Sequence, residues 1–496
     1  MTATSPLAES VAAFCTRLAA EEPLLADAAH AIGERLRGPI RIAIAGRVKA
    51  GKSTLLNALV GERLAPTDAG ECTRVVTVYE HGITYSVDGC LRSGTRVPLG
   101  FHRVDGALSI DLGAHSLDDL DRLEVRWPAP TLRDLVLVDT PGLESISSEL
   151  SRRTLDFLGA RSADHSFDEA DAVIYLMRHV HTSDVEFLDA FMDRTVTAAS
   201  PVNAVAVLSR ADEIGAGRLD AMESAARIAR RYERSEELRP LVSAVLPLAG
   251  LLAETGLTLR EDEALALRRL ASTEPDQLER MLLSVDELLE VSASELTVEI
   301  RRHLLERLGV FGVRIALREI AHGATTAATL GPRLVEQSGL PQLRRVVAER
   351  FGPRARVLQA RTALAGLRHL ADLAEHQRPE AAAAIRREVE RLESTTLEFA
   401  RLRSAHLVAS GRVRASDQER ADLERLLLVP GPLGLGPELS DAPPDEIRAR
   451  AVAALAHWRD RGADPLADRA WAEVCDTAAR ACEAIYAQVA GSGDGL

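Results

Sequence analysis

Lysine is almost missing from this chain of 496 residues. Of 60 basic residues only Lys49 and Lys52 are lysine, three positions apart, and the other 58 are arginine. Aromatic residues are also scarce, at 3%, and the dominance of Ala, Leu, Arg and Glu favours long helices packed along aliphatic seams. The five cysteines (Cys15, Cys72, Cys90, Cys475 and Cys482) are odd in number, scattered and without a CxxC pair, which excludes a disulfide framework and a zinc site. Positive charge is in deficit: a formal net charge of −14 argues against a nucleic-acid partner and against purely electrostatic attraction to anionic lipid. No apolar run reaches the length of a membrane span and no N-terminal signal pattern is visible, so a reduced, cytoplasmic protein is expected.

What is present divides into two halves. A chain of this length exceeds one compact core and predicts at least two domains. Residues 5–37 read as helical, with Leu7, Val11, Phe14 and Leu18 at spacings of three and four and a break at Pro23. Then "IRIAIAG" (Ile40 to Gly46) reads as a buried strand, followed by strands at Val75–Glu80, Ile83–Val87, Leu123–Trp127 and Leu135–Thr140. Asp88-Gly89 and Asp105-Gly106 are hairpin signals. "DAVIYLM" and "NAVAVLS" complete a set that alternates with helices, predicting an α/β domain with a mostly parallel sheet. Beyond Asp212 the strand signal fades, and past Gly352 the chain reads as almost wholly helical. Stripes from Val357 to Ala374 and, after Pro379, from Ile385 to Phe399 require partners in an antiparallel bundle. Ile447 to Trp458 and Val474 to Ile485 supply a returning pair, and the N-terminal helix is a further partner. In that arrangement the α/β domain is inserted at the end of an elongated helical stem.

The two lysines lie in "GRVKAGKST". Gly46 to Ser53 fits GxxxxGK[ST], between a predicted strand and the helix "STLLNALVG", the setting of a phosphate-binding loop. Backbone N–H groups freed by Gly46 and Gly51 would close around phosphates at the helix N-terminus. Lys52 would reach the β- and γ-phosphates and Ser53 would bind Mg²⁺, with Thr54 beside them on the helix. Downstream, Asp139 ends a strand and opens Asp139-Thr-Pro-Gly142. Its carboxylate would hold Mg²⁺ through water, and the Gly142 N–H would sense the γ-phosphate; a structural turn explains Pro-Gly equally well. Thr73, twenty residues after Ser53, is suitably spaced for a switch loop that completes the Mg²⁺ shell. In Ser209-Arg210-Ala211-Asp212, a carboxylate just past a strand end can accept from guanine N1 and N2, selecting GTP over ATP. Arg210 would lay its stem against the base. "RHVH" (Arg178 to His181) lacks further ligands at metal spacing and reads as a loop or dimer contact.

"VKAGKSTLLNALVGERLAPTDAGECTRVVT", "VDTPG" and "LSRAD" resemble the GTPase domain of dynamin-like proteins, above all the bacterial, actinobacterial isoniazid-inducible type. The resemblance is tight over residues 40–215 and diffuse beyond, where the helices are similar to that family's neck and trunk. It implies GTP hydrolysis coupled to membrane binding or remodelling, and self-assembly through GTPase domains. The boundaries expected are a neck helix at 1–38, the GTPase domain at 39–351, a helical neck and trunk at 352–490 and a disordered tail at 491–496. It also implies a peripheral position at the inner face of the plasma membrane. Two rivals stand beside it: a soluble regulatory GTPase with a helical protein-binding arm, and a GTP-binding scaffold subunit that pairs with another dynamin-like protein.

Two positions depart from better-known patterns. Leu143 stands where Ras-type enzymes carry a glutamine that orients water; dynamins lack it too. Val48-Lys49 stands where dynamins usually have Gln-Ser, the serine helping to hold a monovalent cation. Lys52 has to be a compact point charge, which a planar guanidinium is not. By the same logic Lys49 is a candidate replacement for that cation or for an arginine finger; the alternative is a solvent-facing or dimer-pairing lysine. For membrane contact, "RLLLVPGPLGLGPELS" (Arg425 to Ser440) offers Leu433 and Leu435 as a shallow insertion at the tip of the stem, or else forms a buried hinge. "AHLVASGRVR" (Ala405 to Arg414) is a second candidate.

Overall fold

The computed structural model describes residues 5–65, 75–104, 107–141, 170–182, 184–186, 188, 201–290, 296–465 and 467–491. Its strands are β1 (Ile40–Gly46), β2 (Val76–His81), β3 (Ser86–Leu91), β4 (Arg96–Val104) and β5 (Ala107–Asp111), then β6 (Leu120–Trp127), β7 (Leu135–Asp139), β8 (Ala172–Met177), β9 (Ala204–Ser209) and β10 (Val245–Leu248). They form one sheet in the order β10-β9-β8-β1-β7-β2-β6-β3-β4-β5. The block from β10 to β7 is wholly parallel. From β7 outward the sheet is mixed: β2 runs antiparallel to β7 and parallel to β6, and β6, β3, β4 and β5 are antiparallel neighbours.

Near-continuous apolar sequence explains why β1 and β8 sit in the middle, since both faces must be covered. Ile42 and Ile44 face one core together with Leu55, Leu56 and Leu59 of α3 (Lys52–Val60), following α1 (Pro6–Glu21) and α2 (Ala26–Arg35). Ala43 and Ala45 face the other core, with Ala225 and Ala229 of α4 (Ala221–Glu233).

Two local expectations are corrected. Ile83–Val87 is not a strand: Ile83 is 95% exposed and β3 starts at Ser86. Asp88-Gly89 is not a turn but lies inside β3, paired with β4 and β6, and the chain reverses instead around Ser93-Gly94. Asp105-Gly106 falls outside the described residues, although β4 and β5 on either side of it pair from Val104 and Ala107.

After β10 come α5 (Gly250–Thr258), α6 (Glu261–Ala271), α7 (Pro275–Met281), α8 (Val285–Glu290), α9 (Val298–Ala321), α10 (Ala327–Gln337) and α11 (Leu340–Phe351). The helical half continues as α12 (Ala355–Ala374), α13 (Pro379–Thr395), α14 (Leu397–Ala409), α15 (Asp417–Leu428), α16 (Pro444–Gly462) and α17 (Arg469–Gly491). The predicted stripes are its core: Leu364, Leu367, Ile385, Val389, Phe399, Val474 and Ala481 are all buried. Helices α16 and α17 form a hairpin, and α17 packs on α14. At the other end of the chain α1 packs on α12, and the Leu7 amide donates to Glu398 Oε1 at 3.3 Å. Gln359 Nε2 donates to the Gly38 carbonyl at 2.9 Å, tying the entry to β1 onto the same helices.

The leucine-rich stretch after α15 does not stand free. Leu426, Leu427, Leu428, Leu435 and Leu439 are buried, and only Leu433, 42% exposed, reaches solvent among the leucines of that run. Arg401 donates to the carbonyls of Leu426, Leu427 and Val429. Arg354 donates to Leu428 and also to Val202, at the foot of β9, both at 3.3 Å. Leu435 is thus packed in the helical core, while Leu433 stands at the surface. The alternative loop fares no better, since Ala405, His406, Val408 and Val413 are buried and Arg239 of the α/β domain packs on Gly411.

Candidate nucleotide site

The site is built at the carboxyl ends of β1, β7 and β9, where a parallel sheet leaves a crevice. β1 ends at Gly46, whose φ is +148°; a Cβ here would collide with the Leu176 carbonyl of β8, so only glycine lets the loop leave the sheet at this point. The loop turns through Lys49 (φ 62°) and Gly51 (φ 94°), which sits as N-cap of α3 with no side chain in the way. Arg47, Val48 and Lys49 are exposed at the crest, while Ala50 is buried beneath it. Lys52 curls back so that Nζ donates to the carbonyls of Gly46 and Arg47, each at 3.3 Å. Burial holds its ammonium below the ordinary lysine range, with Asp139 opposing. A cation kept close under the loop in this way is placed to meet phosphate oxygens. Thr54 lies one turn into the helix, its methyl against Gly250.

Asp139 closes β7 next to β1, and Thr140 locks the junction by donating from Oγ1 to the Ile44 carbonyl at 2.9 Å. The Asp139 carboxyl is buried and pushed up to about 6 by desolvation, with Lys52 and Ser53 pulling the other way. Its Oδ2 accepts from Ser53 Oγ at 3.5 Å, and its Oδ1 is buried without a partner among the described residues. An orphaned carboxylate oxygen is costly, and a hydroxyl and carboxylate side by side form the hard oxygen donor set that Mg²⁺ takes. The residues present fit that ion. Thr73 and Gly142, the expected switch residues, lie outside the described residues, as does Cys72.

At the expected base end, Arg210 adopts φ 52° just past β9 and opens the short turn that carries Asp212. Burial pushes the Asp212 carboxyl up to about 6. The Arg210 guanidinium bonds Glu213 at 2.8 Å and the Lys49 carbonyl at 3.1 Å, so the base-reading and phosphate loops are hydrogen-bonded to each other. Arg178 also pairs with Glu213, which gives "RHVH" a structural role in this wall. Asp184 orders the rest of that loop, accepting from Tyr175 Oη at 2.6 Å and from the His181 amide at 3.0 Å. No cluster of His, Cys, Asp and Glu among the described residues could hold a metal in the manner of a zinc site.

Residues 42–202 match the profile described as the Dynamin family. Isoniazid-induced protein IniC of Mycobacterium tuberculosis is 41% identical over 464 residues, covering 92% of both chains. This chain is a bacterial dynamin-like protein. The bacterial dynamin-like protein of Nostoc punctiforme is 33% identical over 118 residues, 22% of this chain and 17% of that one. Among solved structures, an oligomerised bacterial dynamin pair, described as a mechanism for long-range sensing and tethering of membranes, is 14% identical. It covers 98% of this chain and 75% of that one at a TM-score of 0.33, a likeness too loose for any feature to be transferred.

Two features of this dynamin-like site escape the sequence patterns. Gly309 interrupts α9 with φ 63° beside the base site, where a Cβ would stand 3.8 Å from Asp212 Oδ2. Arg314, on the next turn, donates to the Ala216 carbonyl at 3.2 Å and to the Gly217 carbonyl at 2.5 Å, fixing the loop after Asp212. On α3, buried Asn57 accepts from the amides of Leu64 and Ala65 at 2.9 and 2.7 Å and donates to the Ala65 carbonyl, anchoring the chain just before residue 66. An asparagine inside the apolar run Leu55–Val60 was the available signal.

Proposed function

We propose that this dynamin-like chain hydrolyses GTP and couples turnover to membrane remodelling. It would bind peripherally at the inner face of the plasma membrane and assemble, with itself or a related chain, through its GTPase domain. The observation that carries the hydrolytic reading is the trio Lys52, Ser53 and Asp139 at the mouth of α3, with Asp139 Oδ1 buried and unpartnered among the described residues. Residues 39–351 would act as the GTPase unit, inserted between the neck helix at 1–38 and the helical neck and trunk at 352–490.

Gly46, Gly51 and Thr54 present backbone donors to the phosphates, and Lys52 neutralises the β- and γ-oxygens. Ser53 and Asp139, with Thr73, would hold Mg²⁺, which when bound offsets charge on the same oxygens. Asp212 accepts from guanine N1 and N2 while the Arg210 stem covers the base. A water oxygen forms a bond to the γ-phosphorus as the bond to the β–γ bridging oxygen breaks, releasing GDP and inorganic phosphate. With Leu143 in the place of a glutamine, the backbone around Thr73 orients that water and the Gly142 N–H registers loss of the γ-phosphate. Lys49, exposed at the crest of the loop, supplies a tethered cation to the charge growing between the β- and γ-phosphates.

The test is GTP turnover of the full chain with and without liposomes, followed by electron microscopy of the vesicles. Turnover that rises on lipid, with deformed or clustered vesicles, is expected. GTP binding without turnover under either condition would refute the enzymatic reading, and lipid-indifferent turnover with unchanged vesicles the membrane reading.

A further inference from the structure

Away from the nucleotide, the α/β domain and the helical half enclose a cleft of about 270 Å³. Five arginines line it: Arg234 and Arg239 after α4, Arg350 and Arg354 at the end of α11, and Arg420 on α15. Only two carboxylates, Glu233 and Glu424, lie among them. Elsewhere this chain pairs its arginines readily, as Arg126 does with Glu80 and Asp88, or Arg386 with Asp372 and Glu375. Acidic residues outnumber basic ones by 74 to 60, so carboxylates are not in short supply.

Yet none of these five guanidiniums has an ion pair within 4.0 Å among the described residues. Arg239 Nη2 and Arg420 Nε are buried with no hydrogen-bond partner among the described residues. Arg354, 5% exposed, forms the floor and spends Nε and Nη1 on the carbonyls of Leu428 and Val202. Burial, with Arg350 and Arg401 nearby, lowers its guanidinium to about 9, opposed by Glu424. Clustered cations that leave buried donors unmet by the protein are costly, and an anion would satisfy them.

We infer that this cleft binds a small phosphate-bearing polyanion, bridging Arg234, Arg239 and Arg350 of the GTPase unit to Arg420 on the helical half. The planar forks of arginine suit bidentate contact with phosphate oxygens. The cavity lies at the low end of ligand-pocket sizes, so it takes a phosphate or diphosphate group rather than a whole nucleotide. The group can belong to a free anion or to a lipid headgroup. Because its contacts come from both sides of the junction, occupancy holds the helices against the GTPase domain.

The experiment uses the full chain carrying Lys52→Ala, which removes the phosphate loop as a competing site. Inorganic pyrophosphate is titrated calorimetrically, and vesicles of phosphatidic acid in neutral lipid are tested by co-sedimentation against neutral vesicles alone. Pyrophosphate binding identifies a free anion as the ligand, and binding to the charged vesicles alone identifies a headgroup. Either is expected to weaken at least tenfold in Arg350→Gln/Arg420→Gln and to recover in part in Arg350→Lys/Arg420→Lys, which keeps the charge but not the fork. Melting temperature and GTP affinity of the same arginine variants with Lys52 intact should stay at the parental values, which separates a lost site from a lost fold. The inference is overturned if the Lys52→Ala chain binds neither probe, or if binding is indifferent to the glutamine pair.

Discussion

Asp212 offers the sharpest quantitative test of the base site. Its carboxyl is pushed up to about 6 from an ordinary 3.8, mainly by burial. About nine-tenths of it is therefore ionised at pH 7 and about one-tenth at pH 5. If only the ionised form accepts from both guanine N1 and N2, GTP affinity falls about tenfold over that interval. The sign for the free protein is opposite: with the folded value raised, the folded chain holds the proton more tightly, so acidification from pH 6 towards 4 adds stability at this residue. Asp139, also near 6, titrates in the same window but acts at the phosphate end. Inosine triphosphate separates the two, because it lacks the exocyclic amine and differs from GTP only at the base. One hydrogen bond to a charged group contributes about 1.5–3 kcal/mol, so GTP should be preferred by about tenfold to a hundredfold near pH 7.5. That preference should shrink to a few-fold by pH 5, while any Asp139 effect cancels in the ratio. Binding of the two nucleotides measured by fluorescence across this range decides it. A preference constant from pH 7.5 to pH 5 would refute Asp212 as the guanine reader.

Three further outcomes are expected. If Lys49 supplies the cation at the phosphates, GTP turnover should be nearly equal in potassium, sodium and tetramethylammonium buffers, and Lys49→Ser should introduce potassium dependence; strong potassium dependence of the parent would contradict the role. Gly46→Ala should lower stability in urea by about 2–4 kcal/mol, since the new Cβ meets the Leu176 carbonyl; an unchanged midpoint with intact GTP binding would contradict the packing described. Leu435→Asp should cost about 3–5 kcal/mol in chemical unfolding by burying an unpaired charge, whereas Leu433→Asp should stay within about 0.5 kcal/mol. Equal, small effects on stability with equal losses of liposome binding would restore the pair as a membrane tip.

The nucleotide site was legible because its residues are punctuation as well as chemistry. Gly46 and Gly51 end a strand and cap a helix, Asp139 ends a strand, and Asp212 follows one, so β1, α3, β7 and β9 announced themselves at the same positions as the site. The edge of the sheet from β3 to β5 was not legible: β4 contains Pro98 and Gly100, both strand breakers, and the lost hairpin at Asp88-Gly89 shows a turn signal overridden by pairing on both edges. Gly309 was hidden because strong helix formers on either side mask a kink that only tertiary contact with Asp212 reveals. The arginine cleft is assembled from residues between 234 and 420 that share no local pattern. The burial of Leu435 likewise depends on residues remote in the chain, since it shares a core with Phe399 and Val474.

The grip of Arg354 on Val202 has a mechanical consequence. Val202 stands two residues before β9, and Arg210 and Asp212 follow its far end, so the strand runs as a short rod from the helical half to the proposed guanine reader. A paired strand scarcely stretches along its own axis, so a shift of the helices would be passed to the residues beyond its far end rather than absorbed on the way. Thermodynamic reciprocity then applies: whatever load bends the trunk must change nucleotide affinity by the factor with which nucleotide changes the bend. If turnover drives the helices as proposed, a chain wired in this way would be a strain gauge as much as a motor.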